Sequence, residues 1–353
     1  MTAFPLSPER ILEVTEKEAR SRATGFINGV LRYVKSDKKR TEKDYEVIWR
    51  SGSCRLLKLH EDKTHSQTPL ILIPSLINKW YILDLTPETS LTDFLVQEGH
   101  PVYVVDWGIP GSDELYFDLS AYIAVYLTAI VRLVAERHGG KVLPIGYCMG
   151  GVLALGLASL LPEFLKGLVL LATPWDFRTP DSSYPHLPPA YGVAYEQWIE
   201  KGQLFPGEWM ALFFYLLDPW RFENKFIQFS KIPDDIEAAH FVAIEQWVND
   251  CVPLTKGVAK NCLIDWTLNN KLAQEEWYIM KRAVEPKYIT APTLIVAPQH
   301  DTVVPPTSAH GLAAMMPNTT LLEPPAGHVG MLVGKHRAEH LLTPLRTWLG
   351  THA

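Results

Sequence analysis

Residues 142–162, VLPIGYCMGGVLALGLASLLP, run the length of a membrane span without one charged side chain. Two structures satisfy such a run. One is a transmembrane helix, which needs about 20 apolar residues. The other is a buried strand, a tight turn and a buried helix in succession. Pro144, Gly146, Gly150 and Gly151 decide for the second, because they interrupt a continuous helix near its middle. The run must then lie inside a core, and 353 residues are enough to build one.

The flanking segments carry the same alternation. YEVIWRSGSCRLLKLH alternates around a turn and predicts a hairpin. TPLILIPSL, PVYVVDWG, KVLPIGYC and LKGLVLLATP are short continuous apolar runs that suit buried parallel strands. Between them, SLTDFLVQEG and DLSAYIAVYLTAIVRLVAERHGG have helical spacing. The second starts at Asp118 or Ser120 and stops at a glycine pair. After Pro174 the alternation gives way to helical segments rich in Trp, Phe and Tyr, with no convincing strand. It resumes with APTLIVAPQHD and TTLLEPPAGH. The expected fold class is therefore α/β, a mostly parallel central sheet flanked by helices with a helical insertion. The expected boundaries are an N-terminal helical segment at 1–45, a catalytic core at 46–174 and 286–353, and a cap at 175–285. In the first of these, Ile11, Val14, Ile27, Val30 and Leu31 form an apolar stripe expected to pack on the body. The charged run KSDKKRTEKD beside it is a solvated face.

Composition excludes some functions. Apolar residues make up 47% and charged residues 20%, with a formal net charge of -6, so neither disorder nor nucleic-acid binding is expected. Cys54, Cys148, Cys251 and Cys262 form no CxxC pair and no metal-ligand spacing. A reduced, cytoplasmic chain without disulfides, resident metal or cofactor is the expectation. The N-terminus lacks a basic segment followed by an apolar run, so neither a signal peptide nor a transmembrane segment is expected.

The centre of the uncharged run carries chemistry. Gly146-Tyr147-Cys148-Met149-Gly150-Gly151 joins a strand to a helix and has the form of a nucleophile elbow with cysteine as nucleophile. Side chains two before and two after the nucleophile would collide with the neighbouring strand and helix, and glycine removes the clash. The helix start beside Cys148 favours a thiolate, and the Met149 amide is placed to supply half of an oxyanion hole. The second amide is expected from the loop after TPLILIP, at Ile77 or Leu76. On this scaffold an acid and then a histidine follow the nucleophile in the chain, each after a late strand. Asp301 ends the APTLIVAPQHD strand, and His328 lies in a glycine-flanked loop after the next. His300 and Asp265 are weaker candidates. Of the twelve histidines, His100, His138, His310, His336 and His340 occupy packing or surface positions. The pattern predicts Cys148 as nucleophile, His328 as base and Asp301 as the group that fixes the imidazole tautomer.

These residues bring a family into view. GYCMGG, PSLINKWYILDLTPETSL, VYVVDWGIPG, LLATPWDF, HDTVVPP and AGHVGMLVG each resemble, in the same order, blocks of the polyhydroxyalkanoate synthases. The resemblance covers the chain from about residue 45 to its end, at the length of the short catalytic subunits. It implies an α/β-hydrolase fold and acylation of Cys148 by a 3-hydroxyacyl-CoA, a substrate and not a cofactor. The acyl group would pass to the hydroxyl of another 3-hydroxyacyl group, building a polyester and releasing CoA. The expected partners are the growing polyester, a second synthase subunit and a second copy of the chain. The expected place is the cytoplasm, at the surface of polyester granules. Two other readings stand beside it. One is a hydrolase, a polyester depolymerase or thioesterase, using the same triad with water. The other is a non-catalytic granule protein. The aromatic insertion at 175–285 is expected to act as a mobile cap that buries Cys148 and excludes water.

Overall fold

The sheet grows from the short apolar runs. In the computed structural model, which describes residues 7–36, 43–60, 67–184, 196–198 and 204–353, eight of these runs pair. In chain order they are β1 (Glu46–Ser51), β2 (Cys54–His60), β3 (Leu70–Ile73), β4 (Val102–Asp106), β5 (Leu143–Tyr147), β6 (Leu168–Leu171), β7 (Thr293–Val296) and β8 (Thr319–Leu322). Their spatial order is β1-β2-β4-β3-β5-β6-β7-β8. β1 and β2 form the expected antiparallel hairpin, β2 is antiparallel to β4, and the remaining pairings are parallel. Each residue of β3 to β7 is buried, as strands covered on both faces require.

Helices fill the connections. α1 (Pro8–Val34) precedes the sheet, and α2 (Leu91–Gln97) is capped by the Ser90 hydroxyl, which accepts the Asp93 amide at 2.8 Å. α3 (Leu119–His138) begins at Asp118, whose carboxylate accepts the Ala121 amide at 2.8 Å, and ends at Gly139 in the left-handed region. This settles the choice between Asp118 and Ser120. Among the described residues, α3 is long and apolar enough to cross a membrane, and half of that apolar stretch is buried inside the fold. The uncharged run divides as its glycines require, into β5 and α4 (Met149–Leu160). The α4 residues from Met149 to Ala158 are all buried.

The chain forms two compact units. The larger covers Glu42–Leu217 and Trp247–Ala353 and contains the sheet. Within it, α5 (Gly207–Leu217) turns Met210, Phe213 and Leu217 into the core and leaves Trp209 exposed. Two ribbons appear where no strand is expected, Leu204–Phe205 with Leu254–Thr255, and Tyr278–Ile279 with Arg282–Ala283. Pairs this short leave no periodicity in a sequence. Residues 185–195 and 199–203 of the expected cap, and most of the charged run before residue 43, lie outside the described residues.

The smaller unit joins Met1–Thr41 to Asp218–Gln246. It holds α1, α6 (Pro219–Phe229) and most of α7 (Asp235–Asn249). Here the expected stripe is corrected. Ile11, Val14, Ile27 and Leu31 are exposed. Val30 of the stripe does turn inward, and with it Phe26 and Tyr33, onto a cluster of Phe226, Phe229, Ala238 and Val242. The aromatic face buries more apolar area than the aliphatic one, and rings meet edge-on at 6.1 Å (Phe26–Phe226) and 5.8 Å (Tyr33–Phe226). Phe226→Ala is expected to cost about 3 kcal/mol or more of this cluster's stability. Hydrogen exchange should then show α1 amides losing protection while those of β3 to β7 keep theirs.

Candidate active site

Cys148 sits between the end of β5 and the start of α4 with φ 56° and ψ -125°, a conformation that L side chains rarely adopt. Its amide donates to Leu171 O at 2.8 Å, which pins the turn to the end of β6. A Cβ on Gly150 would lie 1.9 Å from Ile73 O, and one on Gly146 would lie 2.4 Å from the Gly151 Cα. Backbone atoms cannot yield to such contacts, so both positions require glycine for the reason read from the sequence. Gly150→Ala is expected to lower the unfolding midpoint by the equivalent of roughly 1–3 kcal/mol, the range for overpacking.

Asp301 lies in the turn after β7 and His328 in the loop after β8. Asp301 Oδ2 and His328 Nδ1 are 2.6 Å apart, and both residues are buried. The other carboxylate oxygen accepts the amides of Val303 at 2.9 Å and Val304 at 2.8 Å, so the acid cannot swing away. Nδ1 is taken by Asp301, and Cys148 lies close enough to act on the imidazole's charge. Burial by itself would lower the His328 pKa. The charges of Asp301 and Cys148 and the hydrogen bonds to them outweigh it and push the value up to about 10.

The weaker candidates are elsewhere. Asp265 is held by Lys260 at 2.9 Å and Lys271 at 2.7 Å, and His300 is exposed. Met149 opens α4 directly after Cys148. Ile77 is in the loop after β3, where its amide donates to Ser75 Oγ at 3.1 Å, a bond it would give up to serve an acyl oxygen. Cys148 is partly exposed, where a closed cap would bury it. Of the insertion aromatics, Phe213, Trp247 and Trp266 are buried, Phe214 is partly buried, and Trp209 and Trp220 are exposed. All four cysteines are free, and among the described residues no group of three or more His, Cys, Asp or Glu is placed to hold a metal ion.

Two neighbours of the site escaped the sequence reading. Tyr147 occupies the variable position before the nucleophile. Its ring lies 5.3 Å from the His328 ring, and its hydroxyl donates to His328 O at 3.3 Å. Its place in the motif was the available signal. Tyr184 donates its hydroxyl to Val303 O at 2.8 Å. Burial, then the charges of Cys148 and Asp301, push its phenol well above the ordinary value. No pattern around residue 184 marks it.

Comparison with known proteins follows the same lines. The α/β-hydrolase family profile matches residues 80–339, most of the chain. The chain belongs to the α/β-hydrolase family. A second profile, the N-terminus of poly-beta-hydroxybutyrate polymerase (PhaC), matches residues 39–95 of this α/β-hydrolase. The chain is 29% identical to the poly(3-hydroxyalkanoate) polymerase subunit PhaC of Haloferax mediterranei over 86% of its own length and 63% of that protein, so it spans less than two thirds of that relative. It is 28% identical to the subunit of the same name from Synechocystis over 80% of its own length and 77% of the other. Among solved structures, the putative non-heme bromoperoxidase BpoC of Mycobacterium tuberculosis aligns with a TM-score of 0.53 at 17% identity, covering 89% of this chain and all of that one. At that identity the likeness is one of fold.

The raised His328 pKa gives a pH dependence of definite sign. A histidine whose folded pKa exceeds its unfolded value contributes stability that is complete below about 6.5 and lost as pH rises through about 10. Denaturant unfolding between pH 6.5 and 10 should show stability falling with pH, and His328→Gln should flatten the fall.

Proposed function

We propose that this α/β-hydrolase is an acyltransferase that polymerises 3-hydroxyacyl groups from CoA thioesters through an acyl-cysteine. Two features support the proposal: a strained elbow cysteine, and a buried imidazole–carboxylate pair held at 2.6 Å whose imidazole Cys148 influences. Similarity to polymerase subunits along most of the chain supports the choice of substrate.

The chemistry follows from the groups. The Cys148 sulfur attacks the thioester carbonyl, and His328 holds the thiol proton. Met149 and Ile77 amides stabilise the oxyanion. The carbon–sulfur bond to CoA breaks, and the CoA sulfur takes the proton from His328. Exchange of one thioester for another is nearly isoenergetic, so the acyl group stays reactive on the enzyme. The hydroxyl of a second 3-hydroxyacyl group then attacks, giving its proton to His328. The acyl–cysteine bond breaks, and the proton returns to sulfur. Forming the oxoester is the downhill step. Asp301 keeps the imidazole in one tautomer and stabilises its cation throughout. The reaction requires no group beyond the CoA thioester. On this reading the enzyme works in the cytoplasm at the surface of its polyester, as a homodimer and with a second synthase subunit as partner.

Purified protein given 3-hydroxybutyryl-CoA, with and without a candidate second subunit, should release CoA with formation of polymer. Free acid in place of polymer would assign the chain as a hydrolase. Cys148→Ala should abolish CoA release and the acyl adduct seen by intact-protein mass spectrometry. Cys54→Ala, Cys251→Ala and Cys262→Ala should each retain most of both. Full activity in Cys148→Ala would end the proposal.

A further inference from the structure

The loop after β3 is held from outside. Val252 donates its amide to Ile77 O at 2.9 Å, and the Trp247 indole donates to Lys79 O at 2.8 Å. Tyr81 donates its hydroxyl to one oxygen of Asp250 at 2.9 Å, while Lys79 pairs with the other at 2.9 Å. The Asn78 carboxamide reaches Trp247 O and Val248 O, each at 3.4 Å, and Asn78 bridges antiparallel to Cys251. Each of residues 77, 78, 79 and 81 therefore has a partner in Trp247–Val252, a segment far away in the sequence.

The near end of this loop is β3, whose last carbonyl packs against Gly150 of the elbow. The far end is the clamp. The backbone at 76 and 77, whose Ile77 amide rests on Ser75 Oγ, is thus held from both sides. An oxyanion donor accelerates acyl transfer only when it already points at the place where charge develops, and a misplacement of about 1 Å can cost a hundredfold. Without the clamp, the loop at 74–79 would have to be ordered anew at each turnover.

We infer that Trp247–Val252 is a positioning element for acyl transfer: it aims the loop amide that completes the oxyanion site, and so governs the rate of acylation rather than substrate affinity. This rests on the acyl-cysteine proposal above. The clamp residues touch no reacting atom, and they act through the Ile77 loop.

Two reactions at Cys148 separate this role from general support of the fold. Attack on 4-nitrophenyl butyrate develops an oxyanion and releases nitrophenolate in a burst. Alkylation by iodoacetamide displaces iodide from a saturated carbon and develops none. In the full chain, Trp247→Phe and Tyr81→Phe each delete one donor of the clamp and keep an aromatic ring. Each should slow the burst roughly tenfold, less than outright loss of an oxyanion donor. The ester concentration giving half the maximal burst rate, and the rate of iodoacetamide alkylation of Cys148, should stay at wild-type values. Bursts as fast as wild type in both variants would overturn the inference. So would a parallel fall in burst and alkylation, which would mean that the clamp shapes the whole elbow. A wild-type chain giving no burst would instead overturn the acyl-cysteine proposal, a failure distinct from equal bursts.

Discussion

The structure depends on keeping one non-glycine residue, Cys148, in a backbone conformation that its side chain disfavours. Strain of this kind costs on the order of 1–3 kcal/mol. It persists only where the surroundings leave no alternative. Here the Cys148 amide is bound to Leu171 O, β5 is fixed between β3 and β6, and α4 is buried along nearly its whole length. The uncharged run that first suggests a membrane span is the material of this constraint. It must be apolar because both halves face the core, and interrupted by glycine because they meet at close quarters.

The sheet order explains why Asp301 and His328 need support of their own. Cys148 leaves β5, Asp301 leaves β7 and His328 leaves β8, so β6 and β7 separate the strand of Cys148 from that of His328. The His328 loop must reach back over two strands. Asp301 meets it part-way, held by the amides of Val303 and Val304, and Tyr147 meets it from the nucleophile's own strand. The imidazole is held from several directions because no single element beneath it could fix it.

What was legible in the sequence was local or ordered along the chain. The strands of the sheet, the hairpin, the Asp118 helix start and the elbow each follow from the chemistry of a few adjacent residues. The pairing of His328 with Asp301 follows from the order of late strands. The illegible parts join distant segments through contacts that leave no local pattern in either segment. α1 packs on α6 from nearly 200 positions away in the chain. Its inward face is the aromatic one, which an aliphatic stripe of similar spacing obscured. The clamp on residues 77–81 joins the Asn78, Lys79 and Tyr81 side chains and the Ile77 and Lys79 carbonyls to Trp247–Val252, and neither segment carries a periodicity that marks the pairing. The short ribbons at Leu204–Phe205 and Tyr278–Ile279 owe their existence to the segments they meet, not to their own composition.

Tyr147 touches His328 while lying next to Cys148 in the chain. Two parts of the site that look separable along the sequence are therefore mechanically one. A substitution that shortens residue 147 also frees the His328 imidazole to move. A change at residue 147 is thus felt at once in the loop between Gly327 and Gly330.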